Sequence, residues 1–145
     1  MTVQRLEHIG IVVDDLAAAT AFFVALGLEL EGEASVEGAS VDRINGLEGV
    51  RADIVIMRTA DDSSKLELAK YHSPSYQGGD GPAPANAPGI RHILFVVDDI
   101  EATLAALQAH GGELVGELEN YGNSYWLCYV RGPAGIIVEL AEKIG

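Results

Sequence analysis

Cysteine is almost absent from the chain: Cys128 stands alone among 145 residues. An intramolecular disulfide is thereby excluded, and a reducing, cytoplasmic setting is expected. The N-terminus lacks the charged-then-apolar shape of a secretory leader. No apolar run reaches the roughly 18 residues that a membrane span requires, so no membrane partner is expected. Positive charge is scarce as well. Nine Lys and Arg face 22 Asp and Glu, for a formal net charge of −13, and the cations are scattered between Arg5 and Lys143 without forming a stripe. Such a surface repels a phosphate backbone, which excludes nucleic acid as a partner, while it tolerates divalent metals and cationic small molecules. Proline is rare except in one place: residues 72–89, HSPSYQGGDGPAPANAPG, hold four of the five prolines together with four glycines. That stretch cannot form a regular element and reads as a linker, with a lid as its other possible role.

What the chain does have is a repeat. LEHIGIVVDDLAAATAFFVALGLELEGE, residues 6–33, returns without a gap as IRHILFVVDDIEATLAALQAHGGELVGE, residues 90–117, with fourteen of 28 positions identical. Two copies are too few for a solenoid, so the pair reads as two related modules around a common site. In the first copy residues 3–13 read as a buried strand. Asp14 and Asp15 can start a helix over 16–26, and Gly27 suits its left-handed end. Strands are expected over 29–36, 50–58 and 65–71. The second copy gives a strand over 90–97, a helix over about 100–110, and strands near 113–118, 124–130 and 135–141. The expected fold is α+β. Two tandem βαβββ modules, 1–71 and 90–145, joined by the linker 72–89, form curled mixed sheets around a shared cleft in a single domain.

The repeat also duplicates chemistry. His8 and His92 occupy matching places in apolar strands, and Leu66-Glu67-Leu68-Ala69 matches Val138-Glu139-Leu140-Ala141. Taken singly, each histidine reads as a hydrogen-bonded core residue and each glutamate as a solvent-facing one. Taken as symmetry mates they can converge on one axis, placing two imidazoles and two carboxylates around a divalent cation, since a buried carboxylate needs a partner or a metal. A mixed N/O set of that kind suits Zn, Ni, Co, Fe or Mn and leaves room for water or substrate. Cys128 reads as a small buried apolar residue, and His72 and His110, which have no repeat partner, do not read as ligands. The strand over 124–130 puts Ser124, Trp126, Cys128 and Val130 on one face and Tyr125, Leu127 and Tyr129 on the other, with one face available to a cleft.

The segments HIGIVVDDL, IRHILFVVDDI, VRADIVIM, KLELAKY and RGPAGIIVEL resemble the vicinal oxygen chelate superfamily, which includes glyoxalase I, methylmalonyl-CoA epimerase, extradiol dioxygenases, and bleomycin- and fosfomycin-resistance proteins. The resemblance spans nearly the whole chain outside the linker. It implies that His8, Glu67, His92 and Glu139 hold one divalent metal, which binds vicinal oxygens of a small molecule as a Lewis acid. It further implies isomerase or lyase chemistry, with proton transfer by Glu139 as first choice and Glu67 as second. Where bacterial glyoxalase I has an arginine and an asparagine for glutathione, this chain has Val12 and Tyr71, which argues against glutathione. The catalytic glutamate of the epimerase falls near Gly46 or Leu47, with Glu48 close but out of register. Tyr71, Glu48 and Trp126 are the candidate substrate-pocket residues. The alternative is a non-catalytic protein of the bleomycin-resistance type, capturing a cationic drug with Tyr121, Tyr125, Trp126 and Tyr129; a ring-cleavage dioxygenase ranks third. A homodimer is the expected assembly, with modules paired within or between subunits.

Overall fold

Asp15 ends the first apolar run and starts the first helix, because its side chain accepts the Ala18 amide at 2.9 Å and satisfies an otherwise orphaned N–H. The helix that follows, α1 (Leu16–Leu26), closes at Gly27, whose φ of 117° is a left-handed conformation that side chains resist. In this computed structural model, which describes residues 1–79 and 81–145, α1 follows the strand β1 (Ile9–Val12). Next come β2 (Glu29–Glu37), a short helix α2 (Ala39–Asn45), β3 (Arg51–Arg58) and β4 (Lys65–Ser73). The chain then builds β5 (His92–Val96), α3 (Ile100–Ala109), β6 (Glu113–Leu114), β7 (Glu119–Tyr121), β8 (Tyr125–Arg131) and β9 (Ile137–Lys143). The fold is α+β, as the sequence indicates.

Two compact units divide the chain, Met1–Gly79 and Asp80–Gly145. The division falls inside the expected linker 72–89, although β4 continues to Ser73, past the expected module end at residue 71; residue 80 lies outside the described residues. The first unit holds a mixed sheet in the order β1-β4-β3-β2, with β1 parallel to β4 and the other pairs antiparallel. The second holds β5-β9-β8-β6, with β7 also paired to β8 and β5 parallel to β9. The repeat is preserved in the register. Gly10 lies opposite Glu67 as Leu94 lies opposite Glu139, and the amides of Val13 and Val97 donate to Ala69 and Ala141, each at 2.8 Å.

Strand alternation then divides each sheet into a covered and an open face. In the first unit Ile11, Val55, Met57, Leu66 and Leu68 are buried on the side of Ala19, Phe22, Phe23 and Leu26 of α1. In the second, Cys128, Val130, Val138 and Leu140 are buried on the side of Ile100, Leu104 and Leu107 of α3. Each fully buried aliphatic side chain of this kind contributes about 1.5–3 kcal/mol relative to exposure. The opposite faces are more open, with Val12, Leu94 and Val96 exposed, although the small side chains of Ala52, Ala69 and Ala141 on them are buried.

Four sequence expectations are corrected. The first strand is shorter than 3–13, since β4 starts at Lys65 and offers its first ladder partner, Leu66, to Ile9. That strand is covered on one face only. Of the expected strand over 113–118 only Glu113–Leu114 forms, as β6, and a separate short strand, β7, follows it at Glu119–Tyr121. Between β2 and β3 the chain forms a helix, α2, that the sequence pattern does not predict.

Candidate metal centre

Glu67 and His8 meet because parallel pairing puts Gly10 opposite Glu67, and His8 lies two residues before Gly10, on the same side. The His8 Nε2 stands 3.3 Å from Glu67 Oε2. The second unit repeats the arrangement, with His92 Nε2 3.4 Å from Glu139 Oε1. The side chains are 39%, 27%, 44% and 15% exposed for His8, Glu67, His92 and Glu139. Among the described residues no polar or charged side chain is fully buried. Burial therefore does not compel these carboxylates to find a cation: the open face on which they stand corrects the expectation of a carboxylate enclosed among aliphatic neighbours.

The separations themselves are informative. Two protein ligands at about 2.0–2.2 Å from a shared ion stand about 3.0–3.5 Å from each other. A direct N–H···O contact prefers about 2.9–3.0 Å. Both pairs are His–Glu ion pairs whose spacing also fits a shared divalent ion of the borderline kind that takes imidazole and carboxylate. Each unit brings together one His and one Glu; among the described residues no three His, Cys, Asp or Glu side chains gather into a metal-holding group.

The candidate pocket residues separate. Tyr71 shares the face of Glu67, since Glu67, Ala69 and Tyr71 alternate along β4. Its hydroxyl donates to Asn45 Oδ1 of α2 at 2.6 Å. Glu48 lies in the exposed turn between α2 and β3, where Gly46 and Gly49 have φ of 67° and 69°. Trp126 lies opposite Glu142, three positions along β8 from Tyr129, which lies opposite Glu139. Alternation therefore puts Trp126 on the covered face and Tyr129 on that of Glu139. The Tyr129 ring lies 5.2 Å from the His92 ring, at a tilt of 30°. Tyr129, which the sequence offers only as one of four aromatics for a cationic drug, is the one that the register Tyr129↔Glu139 sets beside the His–Glu pair.

Other polar groups have local explanations. Burial, and secondarily the charge of Glu139, push the Cys128 thiol up, consistent with a core residue rather than a nucleophile. His72 faces Asp53 at 2.8 Å, and the Ser35 hydroxyl donates to the same carboxylate at 2.6 Å; these bonds, that of Ser35 foremost, hold Asp53 below the usual carboxylate range. Arg131 donates to the carbonyls of Ala83 and Gly135 at 2.7 and 2.9 Å, tying residue 83 to the turn before β9.

Comparison with known proteins is consistent over the full length. The profile of the Glyoxalase/Bleomycin resistance protein/Dioxygenase superfamily matches residues 5–140. A glyoxalase family protein from Bacillus cereus is 41% identical, with a TM-score of 0.95 over 100% of this chain and 97% of that one. YaeR from Escherichia coli K12 is 30% identical over 141 residues, 97% of each chain. The fold also matches the genomically encoded fosfomycin resistance protein FosX from Listeria monocytogenes, solved as a Glu-to-Gln point mutant with Mn(II) and 1S,2S-dihydroxypropylphosphonic acid. That match has a TM-score of 0.62 and 16% identity, covering 96% of this chain and 90% of that one.

Proposed function

The chain belongs to the glyoxalase/bleomycin resistance protein/dioxygenase superfamily, and from that premise we propose that it is a divalent-metal-dependent isomerase or lyase acting on a small molecule with vicinal oxygens. The observation that carries the reading is the duplicated His–Glu pair, 3.3 Å apart in one unit and 3.4 Å in the other, at equivalent register. The proposed ligands are His8 and Glu67 of the first unit and His92 and Glu139 of the second, in a homodimer. Support for the ion comes from the spacing of the pairs and from Mn(II) on the FosX fold. When bound, the ion supplies Lewis acidity to the chelated oxygens.

Proton transfer falls to Glu139, the least exposed of the four, with Glu67 as the second candidate. Oε1 of Glu139 faces His92, which leaves Oε2 to take a proton from a substrate carbon next to a carbonyl or hydroxyl and to return it to that carbon. Tyr129, opposite Glu139, supplies an aromatic wall beside that carboxylate.

Elemental mass spectrometry of protein purified without an affinity tag tests the reading. Near one transition metal per ligand set is expected in the wild type and none in the His8→Ala/His92→Ala double variant. No metal, even after incubation with Zn, Ni, Co, Mn or Fe(II), would overturn it. A second reading, capture of a cationic small molecule without turnover, draws on Tyr121, which lies opposite Tyr125 and is exposed with it. Glu139→Gln separates the two: it abolishes turnover in an enzyme, whereas a sequestering protein keeps its affinity.

A further inference from the structure

The open face of the first unit is polar at its two ends and apolar between. At one end Glu67 lies in a row with Gly10 and Ile56. The next row on that face, Val12, Ala69, Ile54 and Ala34, is apolar across all four strands. Beyond it stands Tyr71, opposite Ala52. Four residues of strand separate Tyr71 from Glu67, about 13 Å between their Cα atoms.

The direction of the Tyr71 hydrogen bond is fixed by its neighbours. Asn45 Nδ2 donates to the carbonyl of Val41 at 2.9 Å, and a carbonyl can only accept. The amide nitrogen is therefore turned toward Val41, and Oδ1 toward the phenol. Facing an oxygen that only accepts, the Tyr71 hydroxyl must spend its single proton on Asn45, at 2.6 Å. What it then offers to anything above the sheet is lone pairs. The helix α2 thus converts a hydroxyl that normally donates or accepts into an obligate acceptor.

We propose that Tyr71, locked by Asn45, sets the polarity of the ligand's far end. The ligand carries a hydrogen-bond donor, a hydroxyl, amide or ammonium group, separated from its chelating oxygens by a short aliphatic span that lies over Ala69 and Ile54. A terminal carboxylate or phosphate is disfavoured, since it would bring lone pairs against lone pairs in a protein of net charge −13. The placing of chelating oxygens at Glu67 rests on the reading of Glu67 as a metal ligand; the acceptor role of Tyr71 rests on its bond to Asn45.

The test uses 2-hydroxyalkanoates of about five to eight carbons, long enough to span the strand residues between Glu67 and Tyr71, ending in methyl, hydroxyl, ammonium or carboxylate. Binding is measured by calorimetry to Zn(II)-loaded and metal-free protein labelled with ¹³Cζ-tyrosine, the Tyr71 resonance being identified by its loss in Tyr71→Phe. Hydroxyl-ended probes are expected to bind about three- to tenfold tighter than methyl-ended ones, the range of one neutral hydrogen bond, and to shift the Tyr71 resonance. Tyr71→Phe erases that preference and leaves the methyl-ended probe unchanged. Asn45→Ala, which frees the phenol to donate, lets the carboxylate-ended probe bind as well as the methyl-ended one. Equal affinity for methyl and hydroxyl ends, or a preference that survives Tyr71→Phe, overturns the assignment. If binding requires the metal but ignores the far end, the chelate reading stands and this one falls. If the preference and the Tyr71 shift appear without dependence on the metal, this one stands and the chelate reading falls; if no probe binds either form at millimolar concentration, both fall.

Discussion

The Tyr129 ring lies against the imidazole of His92, centroids 5.2 Å apart and planes 30° from parallel. In the first unit the strand position opposite the glutamate is occupied by Ile56, so among the described residues His8 has no stacked ring like that of Tyr129 on His92. Restricting an imidazole before it ligates reduces what binding must order, and outer partners of metal ligands are worth about 10–100-fold in affinity. Tyr129→Ala is expected to weaken metal binding by about tenfold in a chelator competition, whereas Tyr129→Phe, which keeps the ring, stays close to wild type. Equal affinities for Tyr129→Ala and wild type would contradict the positioning role.

A second asymmetry concerns stability. Glu142 Oε1 accepts the amide of Ile100 at 2.8 Å, so a side chain from β9 satisfies an orphaned N–H in the first turn of α3 and sets a negative charge at the positive end of the helix dipole. Counted from the paired glutamates, the corresponding residue of the first unit is Lys70, which cannot accept. Glu142→Ala is expected to cost about 1 kcal/mol in urea unfolding followed by Trp126 fluorescence. Lys70→Ala should change stability by less than about 0.5 kcal/mol, as surface substitutions usually do.

The duplicated frame was readable from the chain because its signals are local: Asp15 and Asp99 before the helices, Gly27 after the first, and period-two patterning in the last strands of each half. The His–Glu partnership was readable because the repeat supplied a second instance of it. The register that decides which face a residue joins is a long-range property, which is why Trp126 was a pocket candidate while Tyr129 is the residue beside His92. Residues 3–8 look strand-like in isolation and simply lack a ladder partner. The helix α2 is illegible in the sequence for a different reason: ASVDRIN has β-branched Val41 and Ile44 and no buried face. What fixes its end is Asp42, whose two carboxylate oxygens accept the amides of Gly49 and Val50 at 2.9 and 2.8 Å.

Those two amide bonds, that of Val50 foremost, hold the Asp42 carboxyl below its usual 3.8. The hydroxyl of Thr59, with the hydroxyl and amide of Ser63, lowers Asp61 to about 2. A depressed native pKa stabilises above the unfolded value, and that contribution disappears as pH falls through the native one. The turns at 46–50 and 59–64 are therefore expected to open as pH drops from about 4 toward 2. Amide exchange at Gly49, Val50 and Ser63 should report the loss. Asp42→Asn, with one oxygen left to accept, should open the first turn even at neutral pH and remove its acid dependence.

Neighbouring residues on β4 offer the sharpest separation of structure from function. Leu68 is fully buried on the α1 side, opposite Val55 and beside Ile11, while Glu67 points to the open face. Leu68→Ala leaves a cavity that the surrounding side chains fill incompletely, at a cost of about 3 kcal/mol; Leu68→Met, which conserves volume, should cost less than about 1.5 kcal/mol. Neither change touches a proposed metal ligand, so on the proposed reading folded protein of either variant takes up metal as the wild type does. Glu67→Gln is the converse. Its side chain is partly exposed and nearly isosteric, so the unfolding midpoint should stay put while metal affinity falls, because a neutral amide is a poor ligand for a divalent ion. Denaturant unfolding and metal titration on the same three variants check both halves. A Glu67→Gln protein that binds metal normally would remove Glu67 from the ligand set, whatever its stability.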